Sequence, residues 1–131
     1  MMQHTILVID DQWSMQELAR VVLQSAGYRV LLAEDGVTGL SLARTEHPDL
    51  IVMDLRMPEM NIADFLQGLR RDRDTTAIPV VLISSDSVEE HLLAGLKAGR
   101  MDYLRKPFPP PALLTVVKRA LRGSRPKKVA V

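Results

Sequence analysis

The 131-residue sequence contains no cysteine, which excludes disulfide bonds and thiolate metal sites. It also has no apolar run approaching the roughly 18 residues that a membrane-spanning helix needs. The first residues, Met1 to His4, lack the charged region, apolar core and cleavage site of a secretory signal peptide. Together these absences predict a cytoplasmic protein without a membrane anchor.

Over most of the chain, basic residues are slightly outnumbered by acidic residues. Four of the 17 Lys and Arg residues lie in the last ten positions, which contain no acid, so 13 basic residues stand against 16 acidic residues elsewhere. This mildly acidic body argues against direct nucleic-acid binding, which needs a basic face. Because the length suits one domain, we expect residues 1–122 to form it and residues 123–131 to form a basic flexible tail or linker stub.

Five short apolar runs alternate with five helical patterns along the chain. This alternation predicts an α/β fold, a doubly wound (βα)5 five-stranded parallel sheet with helices on both faces. The predicted strands are Thr5–Ile9, Arg29–Ala33, Leu50–Met53, Val80–Ile83 and Met101–Arg105. The predicted helices are Ser14–Ala26, Val37–Arg44, Ile62–Arg71, Ser87–Ala98 and a fifth that opens at Pro110 or Pro111 and ends near Arg122.

Local signals mark several helix ends. Ser14 and Glu17 have capping-box spacing at the start of the first helix, and Gly27 predicts its end. Asn61 is a predicted N-cap of the third helix. The apolar spacing of the first helix predicts that four residues face the core: Leu18, Val21, Val22 and Leu23.

Polar residues follow the C-terminal ends of four predicted strands. In a parallel sheet these ends share one edge, where ligands bind. Three carboxylates at one edge would repel one another, and a hard divalent cation, Mg²⁺, relieves that conflict with oxygen ligands only. The backbone carbonyl of Arg56 is a further candidate ligand. The residues that converge are Asp10, Asp11, Asp54, Ser84 and Lys106.

This set of groups suits phosphoryl transfer, a reaction that depends on positioning and charge neutralisation. Asp54 is the predicted nucleophile. Mg²⁺ and Lys106 would neutralise the phosphoryl oxygens, and the Ser84 hydroxyl would donate a hydrogen bond to one of them.

From about Thr5 to Arg122, the chain resembles the receiver domains of response regulators in two-component signalling. The resemblance is carried by the acid pair Asp10-Asp11, the stretch Asp54-Leu55-Arg56-Met57-Pro58, Ser84, Tyr103 and Lys106-Pro107-Phe108. It implies a flavodoxin-like fold with strand order 2-1-3-4-5. Residues 1–122 would then be the receiver domain.

The resemblance also implies a mechanism. Asp54 would accept a phosphoryl group from a histidine kinase or a histidine phosphotransfer protein, and the domain would catalyse its own phosphorylation and dephosphorylation. Asp11, Asp54 and the Arg56 carbonyl would bind Mg²⁺, with Asp10 acting mostly through water. Ser84 and Tyr103 would switch the face of the fourth helix, fifth strand and fifth helix, which controls a downstream protein or output domain and can form a homodimer.

Two alternatives belong to other classes. A haloacid-dehalogenase-type phosphatase needs a second acid two residues after its nucleophile, and Arg56 occupies that position. A pseudo-receiver, a protein-interaction module without the chemistry, would be expected to lack some of the site residues, yet all are present. Asn61-Ile62 stands where the family often has Asp-Gly, which predicts a local change in that loop. The sequence leaves open a stand-alone regulator, a relay intermediate or part of a longer protein.

Overall fold

The computed structural model of the chain describes residues 3–57, 60–85 and 101–122. The predicted fourth helix and the basic tail lie outside these residues. The strands are β1 (Thr5–Ile9), β2 (Arg29–Ala33), β3 (Leu50–Asp54), β4 (Val80–Ser84) and β5 (Met101–Arg105), all within one residue of their predicted bounds. The described helices are α1 (Trp13–Ser25), α2 (Gly36–Glu46), α3 (Ile62–Arg71) and α4 (Pro110–Leu121), the last being the predicted fifth helix.

The five strands form one parallel sheet in the order β2-β1-β3-β4-β5, which confirms the predicted topology. Every residue of β1, β3 and β4 is buried, as expected for unbroken apolar runs in the middle of a parallel sheet. The pairing of Ile9 with Met53, and of Asp54 with Ile83, brings the strand ends to the same level.

Alternate side chains of the strands enter two separate apolar layers, one on each face of the sheet. Leu7, Ile51 and Leu82 pack against α2 and α3 on one face. On the opposite face of the sheet, Ile6, Val52 and Val81 pack against α1 and α4. The helices therefore cover both faces, as predicted, and hold the strand ends in fixed positions.

The predicted core face of α1 is partly wrong. Leu18 is 38% exposed and Val21 is 51% exposed, whereas the buried face of the helix carries Gln16, Ala19 and Leu23. These three residues follow the i, i+3, i+7 spacing of a single helix face. Gln16 is therefore buried, although its polarity predicts exposure to solvent. The helix presents a different face to the sheet from the one that the apolar spacing predicts.

The predicted capping box of α1 is also wrong. The helix begins one residue earlier, its N-cap is Gln12, and no side chain caps it. Glu17 instead forms an ion pair with Arg20 one turn further along. The other two end signals are confirmed, because Gly27 has a φ of 93° after the helix and the Asn61 side chain accepts hydrogen bonds from two backbone N–H groups of α3.

The second helix is longer than predicted, because it begins at Gly36 and ends at Glu46. The Asp35 side chain accepts a hydrogen bond from the Thr38 backbone N–H, and this N-cap lies two residues before the predicted start of the helix at Val37. Among the described residues, no helix is both long enough and apolar enough to cross a bilayer.

Candidate functional site

Asp54 lies at the C-terminal end of the central strand. The four apolar residues before it, Leu50 to Met53, are almost completely buried, and Asp54 itself is only 5% exposed at the sheet edge. The Leu55 backbone N–H donates to the Ile83 carbonyl at 2.9 Å, so the chain stays tied to β4 just beyond the acid. The Arg56 backbone N–H donates to Asp54 Oδ1, also at 2.9 Å. One oxygen of the carboxylate is thus oriented by its own loop.

The other oxygen of Asp54 pairs with Lys106, which follows β5. Lys106 Nζ lies 2.8 Å from Asp54 Oδ2, across a sequence separation of 52 residues. The Lys106 backbone N–H donates to the Ser84 carbonyl at 2.8 Å, which holds the lysine beside the end of β4. The next peptide bond, to Pro107, is cis. The structure therefore places the predicted nucleophile and the predicted lysine in direct contact.

Asp10 follows β1 and is the most deeply buried acid at this edge, with 2% of its surface exposed. Its backbone N–H donates to the Ala33 carbonyl of β2 at 3.0 Å, which extends the parallel pairing by one residue. Its Oδ1 accepts a hydrogen bond from the Gln12 backbone N–H at 2.9 Å. The neighbouring Asp11 is exposed to solvent. The acid pair thus divides into one inward and one outward carboxylate.

Burial raises the pKa of Asp10 from its ordinary value of 3.8 to about 6. Burial is the largest cause of this increase, repulsion from Asp54 and from Asp11 contributes to it, and the Gln12 hydrogen bond and Lys106 act in the opposite direction. The ionised form of Asp10 is therefore under electrostatic stress at neutral pH, and a bound cation would relieve that stress.

The remaining predicted site residues lie nearby in the fold. Ser84 is the last residue of β4 and is 1% exposed. Tyr103 is partly buried on β5, where it packs against the apolar layer of α2 and α3 and pairs with Leu82. Arg56 is exposed in the loop after β3. Ser84 is thus at the same sheet edge as Asp54. Tyr103 pairs with Leu82, two residues before Ser84 in β4, and so lies further from that edge.

The oxygen donors of this edge fit a hard divalent cation. Asp10 and Asp54 are buried carboxylates that repel each other, and Asp11 adds a carboxylate that reaches water, an all-oxygen set of the kind that Mg²⁺ prefers. In residues 3–57, 60–85 and 101–122, no three His, Cys, Asp or Glu side chains are already gathered for a metal. Lys106 is instead paired with Asp54, so the lysine and a cation would compete for the same carboxylate.

The sequence did not predict a role for Gln16, whose side-chain amide donates a hydrogen bond to the backbone carbonyl of Asp10. A glutamine within an amphipathic helix is ordinarily assigned to the solvent face, and nothing in its spacing to the acid pair marks it out. The signal is visible only in three dimensions, once the strand end and the helix are seen in contact.

A shallow apolar groove lies next to Lys106. It has a volume of about 420 Å³ and is lined by Met15, Leu18, Ser85, Lys106, Pro107 and Phe108. Three large apolar side chains of α1 are exposed around it or further along the helix, and Trp13 is the most exposed of them, at 73%. Apolar surface beside a polar site is typical of a place where another protein docks.

Comparison with known proteins matches residues 6–118 to the response regulator receiver domain. Protein PilH of Pseudomonas aeruginosa is 36% identical over 118 residues, which cover 90% of this chain and 98% of PilH. The phosphate regulon transcriptional regulatory protein PhoB of the same species is 33% identical over 126 residues, covering 96% of this chain. The chain spans only 55% of PhoB, so it corresponds to about half of that larger protein.

Solved structures give the same result for the fold. Chemotaxis protein CheY4 of Vibrio cholerae superposes with a TM-score of 0.83 and 30% identity, covering 91% of this chain and 99% of CheY4. The receiver domain of the sensor histidine kinase PA1611 of P. aeruginosa superposes with a TM-score of 0.80 and 28% identity, over 91% of this chain and 98% of that domain. The PA1611 domain was crystallised with a magnesium ion coordinated in its active-site cleft.

Proposed function

Because the chain belongs to the response regulator receiver domain family, we propose that it accepts a phosphoryl group on Asp54 and uses that charge to switch a protein-binding face. The observation that carries the proposal is the contact of Lys106 Nζ with Asp54 Oδ2 at 2.8 Å, at the end of the central buried strand. A carboxylate held beside a cation at this edge of a parallel sheet is arranged for phosphoryl transfer.

In the proposed reaction, an Asp54 carboxylate oxygen attacks the phosphorus of a phosphohistidine. The new P–O bond forms as the N–P bond breaks, and the released imidazole nitrogen takes up a proton from solvent. Lys106 exchanges its contact with the free carboxylate for one with a phosphoryl oxygen, and the buried Ser84 hydroxyl donates to another. Attack of water on the acyl phosphate reverses the modification and regenerates Asp54.

We propose that Asp11, Asp54 and the Arg56 backbone carbonyl hold Mg²⁺, with Asp10 acting through water. When bound, the ion supplies positive charge to the phosphoryl oxygens. Two observations support the assignment: the raised pKa of Asp10 in an all-oxygen set, and the magnesium ion in the cleft of the PA1611 domain.

The partners follow from the same surfaces. We propose a histidine kinase or histidine phosphotransfer protein as phosphoryl donor, docked on the exposed apolar side chains of α1 and the groove beside Lys106. We also propose that Ser84 and Tyr103 transmit the signal to the face formed by the predicted fourth helix, which lies outside the described residues, together with β5 and α4. This face would control a downstream protein or output domain and can form a homodimer. Residues 1–122 are the receiver domain in this proposal, residues 123–131 its basic tail or linker, and a cytoplasmic location stays a prediction.

The test is phosphorylation by a small-molecule acyl phosphate with Mg²⁺, read by intact-protein mass. We expect the wild type to gain one phosphoryl group and Asp54→Asn to gain none. Asp49→Asn is the matched control, because Asp49 is as buried as Asp54 but lies just before the opposite end of β3, where its Oδ2 accepts a hydrogen bond from the Thr5 backbone N–H. It should be modified like the wild type. No gain on the wild type, or equal gain on Asp54→Asn, would favour the alternative of a non-phosphorylated interaction module.

A further inference from the structure

Gln16 is a buried polar residue on the core face of α1. Only 8% of its surface is exposed. Its neighbours on that face, Ala19 and Leu23, are fully buried and, unlike Gln16, apolar. A buried amide must be hydrogen-bonded to be tolerated, and the Gln16 side-chain nitrogen lies against two backbone carbonyls, those of Asp10 and Ala33. Because carbonyls only accept, the side-chain nitrogen of Gln16 is fixed as the donor.

The Gln16 side-chain amide contacts two backbone carbonyls, one just after β1 and one at the end of β2. Its Nε2 donates to the Asp10 carbonyl at 2.5 Å and lies 3.4 Å from the Ala33 carbonyl. The same Ala33 carbonyl accepts the Asp10 backbone N–H at 3.0 Å. The Asp10 side chain is held separately, by the Gln12 backbone N–H. Asp10 is therefore restrained at its N–H, its carbonyl and its carboxylate.

The carbonyl that Gln16 holds belongs to the peptide unit between Asp10 and Asp11. That unit is planar, so fixing its oxygen also fixes the direction in which the chain continues to Asp11. No strand partner holds this carbonyl in the part of the chain that the structure describes, because β1 ends at Ile9. The Gln16 side chain thus replaces a strand contact at the point where the two acids diverge.

We infer that Gln16 is a positioning residue for the acid pair, acting through the Asp10 carbonyl to set both carboxylates for Mg²⁺. The inference rests on the proposed function. Partners that orient metal ligands without touching the metal typically change affinity by about 10- to 100-fold when they are removed. A purely structural Gln16 would affect the stability of α1 and leave metal affinity unchanged.

Gln16→Leu removes the donor at similar side-chain volume and tests the inference. Leu23→Ala is the matched control, since Leu23 is fully buried on the same face of α1, about two turns beyond Gln16 and further from the acids. MgCl2 titrations of both variants and the wild type are followed by the backbone amide NMR signals of residues 10–12. We expect Gln16→Leu to raise the Mg²⁺ dissociation constant by about 10-fold. Leu23→Ala should lower stability but leave the dissociation constant within twofold of wild type.

The Gln12 amide proton provides a second readout, in the absence of metal. Since this N–H donates to Asp10 Oδ1, its chemical shift should move in Gln16→Leu and not in Leu23→Ala. If Gln16→Leu does not fold, Gln16→Met, an unbranched side chain without a donor, is measured in its place. A dissociation constant within twofold of wild type in the Gln16 variant would overturn the inference while leaving the proposed function intact. A wild type that binds no Mg²⁺ would overturn both.

Discussion

Replacing Asp10 with Asn should stabilise the metal-free protein, and the gain should grow with pH. The pKa of Asp10 is raised from 3.8 to about 6 in the fold, so the folded state holds this proton more tightly than the unfolded state does. The free energy of unfolding therefore falls as pH rises and the carboxyl ionises. The shift corresponds to a penalty of about 3 kcal/mol at pH 8 and about half of that at pH 5.

Asn keeps an oxygen that can accept the Gln12 hydrogen bond and carries no charge, so the variant should recover most of that penalty. The assay is urea unfolding at both pH values with a chelator present. Added Mg²⁺ should reduce the difference in unfolding free energy between Asp10→Asn and the wild type, because a ligand that binds only the folded wild type stabilises it. Asp49→Asn is the control and should show no comparable gain. A gain that is equal at pH 5 and pH 8, or a loss at pH 8, would refute the electrostatic reasoning.

Two further predictions concern the ion pair and the packing of α2. Because the charge of Lys106 lowers the pKa of Asp10, Lys106→Ala should raise that pKa above about 6, which a carboxyl-carbon NMR titration measures; an unchanged pKa would contradict this electrostatic effect of Lys106 on Asp10. Gly39→Ala should cost about 1–3 kcal/mol in chemical unfolding, since its new methyl group would lie 2.4 Å from the buried Ile9 Cδ1. Gly68→Ala, which meets only a flexible leucine end at 3.0 Å, should cost less, and equal costs would argue against the close approach.

The strands were predictable because their physical signal is strong and local. A run such as Leu50 to Met53 is typical of a strand that is buried on both faces of a parallel sheet, and the observed burial agrees. The polar residues that follow the strands were predictable for the same reason, since parallel strands end at one edge. Contact between Lys106 and Asp54 follows from the topology, although its distance does not.

The face of α1 was not predictable, because apolar spacing counts hydrophobic residues and cannot recognise a satisfied amide. Leu18 and Val21 have the spacing of core residues, yet they lie at the surface, while Gln16 is buried with its donor used by the strand ends. The capping box failed in a similar way. Glu17 has the correct spacing to Ser14, but its side chain forms an ion pair with Arg20 instead of capping the helix.

The ion pair between Lys106 and Asp54 can form only in a sheet that already contains β5. It joins β3 to the residue after β5 across a sequence separation of 52 residues, with β4 between the two strands. A chain that has assembled only β1, β2 and β3 already presents its carboxylates but has no lysine beside them. β5, the last of the five strands to be synthesised, is thus followed by the residue that supplies the counter-charge to Asp54, so a sheet that lacks β5 leaves this buried carboxylate without its lysine partner.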